Sequence, residues 1–79
     1  MMIKAYVLVV TNPGETKNVY NAAKAIPGVV EIHEVMGPYD IVIEIEVASL
    51  SDVPPILSDK IRVIPGIEST TSLVTFPDA

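Results

Sequence analysis

The chain has no cysteine, so neither a disulfide framework nor a thiolate metal site or nucleophile is available to it. A domain this small often leans on disulfides, metals or self-association, and self-association is the route left open. His33 is the single histidine, which rules out a Cys/His pair and a histidine-rich metal site within one chain. Basic residues are few as well: Lys4, Lys17, Lys24, Lys60 and Arg62 are scattered against ten carboxylates, for a net charge of −5. Direct nucleic-acid binding needs a clustered basic stripe, so none is expected. No apolar run approaches the roughly 20 residues that span a bilayer, and no membrane association is expected. Residues 1–4 lead straight into a strand without the features of a signal peptide, which points to the cytoplasm. The four glycines are isolated, so no phosphate-cradling loop exists and no cofactor is implied.

What is present is a repeat. Ile26, Pro27, Gly28 and Val29 recur as Ile64, Pro65, Gly66 and Ile67, an offset of 38 residues that also lays residues 3–10 on 41–48 and residues 15–26 on 53–64. Each unit reads strand, helix, strand. Two units in tandem make βαββαβ, the α+β ferredoxin-like plan: a four-stranded antiparallel sheet with two helices on one face. The 79 residues are expected to form one domain, with only about 60% of the unfolded surface buried and a stability of about 4 to 12 kcal/mol.

Residues 2–11 are apolar in both alternating registers, with Ala5, Val7 and Val9 on one face and Tyr6, Leu8 and Val10 on the other. Helix 1 is expected over residues 15–26, carrying Val19, Ala22, Ala23 and Ile26 on one stripe. Residues 29–36 and 40–47 pair as a hairpin across residues 37–40. If Gly37 pairs with Asp40, His33 lies opposite Glu44, Glu31 opposite Glu46 and Val35 opposite Val42, while Ile32, Met36, Ile41, Ile43 and Ile45 share the other face. Helix 2 starts near residues 51–53, capped by Ser51 or Asp52, with Pro54 and Pro55 in its first turn and Val53, Leu57, Ile61 and Ile64 facing the core. Residues 67–76 form the last strand, and Pro77, Asp78 and Ala79 a frayed end.

In this plan the first and third strands are central and the helices cover one face only. Tyr6, Leu8 and Val10 then form an apolar patch on the uncovered face, which fits sheet-to-sheet dimerisation, the ordinary alternative being tolerated partial exposure. Chemistry is sparse. His33 opposite Glu44 is a cross-strand ion pair before it is a general base, and Glu31, Glu44 and Glu46 form a solvated acidic face before they form a metal cage. No enzyme is expected. Two features can address a zwitterion: the turn of Gly37, Pro38, Tyr39 and Asp40, whose carboxylate accepts from an ammonium, and the hydroxyl row Ser69, Thr70, Thr71 and Ser72, which donates to a carboxylate. The same residues also make an ordinary hairpin turn and an ordinary β-strand.

The segment VVEIHEVMGPYDIVIEIEV, followed by KIRVIPGIESTTSLV, resembles the effector domain of the Lrp/AsnC transcription regulators, their regulation-of-amino-acid-metabolism module. The similarity covers nearly the whole chain: an opening strand AYVLVVT, the NPG turn, paired PG motifs, the G-x-Y-D turn and a Thr-rich last strand. The ACT domain, another βαββαβ amino-acid sensor, lacks the G-x-Y-D turn in this setting. Because residue 1 already lies at the first strand, the helix-turn-helix that normally precedes the module is expected to be missing, giving a stand-alone form. The resemblance implies a dimeric α/β plait joined through the sheets, assembly of dimers into higher oligomers, and an amino acid or similar small effector bound between dimers. Gly37, Tyr39 and Asp40 match the family's effector-binding turn; Thr71 and Ser72 match less closely. A full-length Lrp/AsnC-type regulator is the implied protein partner, whether the chain senses an effector or serves only as a ligand-free assembly partner. Asp40→Ala is expected to leave the fold intact.

Overall fold

The computed structural model describes residues 2–76. Strand β1 (Ile3–Thr11), helix α1 (Thr16–Lys24), β2 (Val29–Glu34), β3 (Ile41–Val47), α2 (Val53–Pro55) and β4 (Ile67–Val74) follow in chain order, a 3-10 turn (Leu50–Asp52) leading into α2 and a π-helical segment (Ile56–Ile61) continuing it. The sheet is antiparallel in the order β2-β3-β1-β4. This is the expected βαββαβ arrangement. The expectations for Met1 and for a frayed end at Pro77, Asp78 and Ala79 lie outside the described residues.

Alternation in the central strands selects the faces. Ala5, Val7, Val9, Ile41, Ile43 and Ile45 are fully buried and form one cluster with Val19 and Ala23 of α1 and with Val53, Leu57 and Ile61 of the second helix. Both helices therefore cover the same face. Each such Ile or Leu side chain taken out of water contributes about 1.5–3 kcal/mol. On the opposite face, two rows cross all four strands: His33, Val42, Leu8 and Thr71, then Glu31, Glu44, Tyr6 and Leu73.

The duplication extends to irregularities. The β2–β3 ladder steps from Val29 to Glu31 while β3 advances one residue, leaving Val30 as the extra residue. The β1–β4 ladder steps from Ser69 to Ile67 while β1 advances one, leaving Glu68 extra. Val30 and Glu68 stand 38 residues apart, each directly after a Pro-Gly-Val/Ile. Both edge strands thus carry the bulge that bends and twists an edge away from pairing.

Four expectations are corrected. The hairpin register slides by two residues, placing His33 opposite Val42 and Glu31 opposite Glu44. The cause is Asp40, whose N–H donates to the Val9 carbonyl at 2.8 Å while its own carbonyl accepts from Val35 N–H at 2.9 Å. The ladder closes there, residues 36–39 become a loop, and Met36 is exposed instead of sharing the core face. A slide of two preserves the faces, so Ile32 and Ile43 stay inward. Helix α1 is shorter than residues 15–26, and Ala22 is exposed beside the buried Val19 and Ala23. Ser49, rather than Ser51, caps the 3-10 turn that leads into α2: its Oγ accepts from Ser51 N–H at 3.4 Å, and Asp52 Oδ2 accepts from Ser49 N–H at 3.2 Å, while Asp52, at the N-cap position of α2 itself, makes no side-chain cap bond to that helix. The last strand ends at Val74, two residues early.

Candidate functional site

Gly37, Tyr39 and Asp40 sit where β3 begins, beside the end of the central strand β1. Gly37 has φ +149° and would have no neighbour within 4 Å of an added Cβ, so the loop stands open at that position. Tyr39 and Asp40 are half-buried. Asp40 Oδ2 accepts from Thr11 N–H at 2.8 Å and from Thr11 Oγ1 at 3.3 Å, and Thr11 Oγ1 lies 2.7 Å from Thr16 Oγ1. One carboxylate thus ties the end of β1 to the start of α1. Among the described residues no donor reaches Asp40 Oδ1.

Thr11 and Thr16 were not singled out as site residues from the sequence. A signal existed: Thr11 continues the inward series Ala5, Val7, Val9, and a threonine on a core-facing position needs a partner. At 7% exposure it is the buried polar residue among those described.

The hydroxyl row divides. Thr71 pairs with Leu8 on the open face, whereas Ser72 pairs with Val7 on the helix side. Ser72 Oγ is buried there and has no hydrogen-bond partner among the described residues. Thr71 lies two strands away from Asp40, across β1. The structure brings Asp40 together with Thr11 and Thr16, and brings neither Thr71 nor Ser72 to that cluster.

Tyr6, Leu8 and Val10 are half-buried on the open face, where Val42 and Leu73 adjoin them through the ladders. The polar border of that patch differs from the expected one. Glu44 pairs with Lys4 Nζ at 3.6 Å rather than with His33, and His33 Nε2 reaches Glu31 Oε1 at 3.5 Å along its own strand. The Glu44 carboxylate, with Tyr6, raises the Lys4 ammonium above its ordinary 10.5.

A second concavity lies elsewhere. Between α1 and the edge strand β2 runs a groove of about 350 Å³, walled by Tyr20 and Lys24 on one side and by β2 from Val29 to His33 on the other. The Lys17 and Lys24 ammoniums stand 5.4 Å and 5.8 Å from the Tyr20 ring centroid.

Residues 4–77 match the family model described as the Lrp/AsnC ligand binding domain. An uncharacterized HTH-type transcriptional regulator of Pyrococcus furiosus is 35% identical over 75 residues, which is 91% of this chain and 50% of the regulator. The chain spans about half the length of that relative. Among solved structures, the hypothetical protein PHS023 of Pyrococcus horikoshii is 31% identical with a TM-score of 0.88, covering 99% of this chain and 93% of that one. TTHA0845 of Thermus thermophilus is 26% identical with a TM-score of 0.91, covering 98% and 96%.

Proposed function

The chain belongs to the Lrp/AsnC ligand-binding domain family, and from that premise we propose that it is a self-associating regulatory module whose effector is an amino acid or a similar small zwitterion. The family is a ligand-binding domain of transcription regulators, not an enzyme. The observation that carries the reading is the family match over residues 4–77, which includes both the G-x-Y-D turn and the apolar open face. In this proposal Tyr6, Leu8 and Val10 join two copies through their sheets, and pairs of dimers meet at the loops bearing Gly37, Tyr39 and Asp40. The free Oδ1 of Asp40 receives the effector ammonium. Thr71 of a neighbouring copy, exposed on the open face, is the candidate hydroxyl for its carboxylate; Ser72, whose Oγ is buried on the helix side without a partner among the described residues, serves only if assembly opens that side. A full-length regulator of the same family is the proposed protein partner.

A zwitterion buried between subunits must satisfy both charges, because an unpaired one costs as much as a millimolar ligand gains, about 4.1 kcal/mol. A thermal-shift series against the standard amino acids tests the reading. A ligand at about 100 times its Kd adds roughly 2.7 kcal/mol to the folded state, which at about 4–8 °C per kcal/mol for a domain of this size is a large shift. Asp40→Asn, which keeps an acceptor for Thr11 N–H and removes the charge, should abolish it. If no amino acid moves the transition, the second reading stands: a ligand-free assembly partner. The observation favouring that alternative is that Asp40 Oδ2 is already committed to Thr11 within the chain.

A further inference from the structure

We infer that association of two copies through the open face is proton-linked: His33, beside the carboxylates of Glu31 and Glu44 on that face, takes up a proton as the copies close. The assembly then tightens as the pH falls from about 8 to about 6. The inference rests on the sheet-to-sheet reading above and adds its regulation. Among the residues paired in the ladders, the charged or titratable side chains on the open face besides Tyr6 are Glu31 and His33 of β2, Glu44 and Glu46 of β3, and Lys4 of β1. With His33 neutral, three carboxylates stand there against one ammonium.

The ammonium is already engaged. Lys4 Nζ lies 3.6 Å from Glu44, whose side chain is 16% exposed in the single chain, and Lys4 stands opposite Glu46 in the ladder. Glu31, directly across from Glu44, has only His33 beside it, Nε2 to Oε1 at 3.5 Å. Val42 and Tyr6, the other β3 and β1 neighbours, bring no charge at neutral pH. From the helix side, Tyr20 and Lys24 of α1 line the groove that reaches Glu31 and His33, while Lys17 is bonded to Glu34. Glu31, Glu44 and Glu46 therefore favour a proton on His33, and Lys4 and Lys24 oppose it. In the single chain water screens these charges, since His33 and Glu31 are more than half exposed. A second copy laid over the face removes that water, which strengthens a His33–Glu31 ion pair and penalises an unpaired carboxylate. Symmetry applies this to both copies.

The duplication shows that this charge belongs to one side of the face. At the 38-residue offset, Glu31, His33, Glu44 and Glu46 correspond to Ser69, Thr71, Tyr6 and Leu8. The β1–β4 side thus presents apolar and hydroxyl groups where the β2–β3 side presents three carboxylates and the histidine. A contact centred on Leu8 gains its association energy from the first side and carries the second in at its border. Repulsion at that border is what the proton on His33 relieves.

The experiment is sedimentation equilibrium of the full chain at about pH 8 and about pH 6, at one ionic strength. The dimer Kd should fall about tenfold at the lower pH, the sign required when the associated state binds more protons. His33→Gln should hold Kd near the pH 8 value at both. Glu31→Gln should tighten association at pH 8, because it removes a carboxylate from the border. Both positions are exposed, and circular dichroism confirms that the variants fold. A parent dimer whose Kd is the same at both pH values overturns this inference alone, as does a pH dependence that survives in His33→Gln or a Glu31→Gln dimer weaker than the parent at pH 8. A parent that is monomeric at both pH values, or a dimer that persists in Leu8→Glu, overturns the sheet-to-sheet reading and this inference with it.

Discussion

Asp40 and Thr11 are joined twice, the Oδ2 of Asp40 accepting from the Thr11 amide at 2.8 Å and from its hydroxyl at 3.3 Å. The residue expected to be a free ammonium ligand on an exposed turn is therefore also a structural tie between the two central strands. Asp40→Ala leaves a buried amide without its acceptor, a loss of about 1–3 kcal/mol, and should lower the melting temperature by several degrees or more. Asp40→Asn should recover most of that loss. Thermal unfolding followed by circular dichroism separates the two; equal stability of Asp40→Ala and the parent would show that the tie contributes nothing.

Gly28 and Gly66 occupy equivalent places in the two halves and share φ +100°, yet their surroundings differ. A Cβ on Gly28 meets the flexible tip of Ile56 Cδ1 at 3.2 Å, whereas a Cβ on Gly66 meets Glu15 Cβ, close to the backbone, at 2.8 Å. Both alanine substitutions should destabilise through the left-handed backbone, by about 1–2 kcal/mol. Gly66→Ala should cost more, because Glu15 and the Asn12 N–H bond to the Gly66 carbonyl at 2.8 Å must shift together. Urea denaturation of the two variants side by side would reverse this ranking if the close approach were unimportant.

Ser72 offers a test with the opposite sign. Its Oγ is buried on the helix side with no partner among the described residues, and a hydroxyl taken from water without compensation costs about 1–3 kcal/mol. Ser72→Ala should raise stability in the absence of ligand. A fall in stability would mean that the hydroxyl finds a partner in the assembled protein, and in that case the same variant should lose any thermal shift produced by an amino acid.

Much of this fold was legible because the chain states it twice. The Pro-Gly repeat gave the order of elements, and the alternation of β1 identified Ala5, Val7 and Val9 as core and Tyr6, Leu8 and Val10 as the open face. The register of β2 was not legible from its turn. Gly37, Pro38, Tyr39 and Asp40 look like a tight hairpin locally, but Asp40 gives its amide to Val9, a partner distant in sequence. The roles of Thr71 and Ser72 were blurred for a simpler reason: adjacent strand residues point to opposite faces, so a run of hydroxyls cannot act as one row.

The open face supplies the last prediction. Leu8 stands at the centre of a four-strand row between Val42 and Thr71, with Tyr6 and Leu73 in the next row, and no helix among the described residues covers that side. An isologous dimer buries Leu8 twice. Full transfer of a leucine from water is worth about 1.5–3 kcal/mol; Leu8 is already half-buried in the single chain, so the pair contributes roughly 1.5–3 kcal/mol to association, or about one to two orders of magnitude in Kd. Leu8→Glu should therefore convert the assembly to the 8.5 kDa monomer at micromolar concentration, as measured by light scattering, while Val30→Glu, on the exposed edge bulge, should leave it unchanged. The monomeric variant should retain its circular dichroism, because Leu8 is not part of the buried cluster. A wild-type chain that already scatters as a monomer would sink the sheet-to-sheet interface, and with it the effector site proposed between dimers.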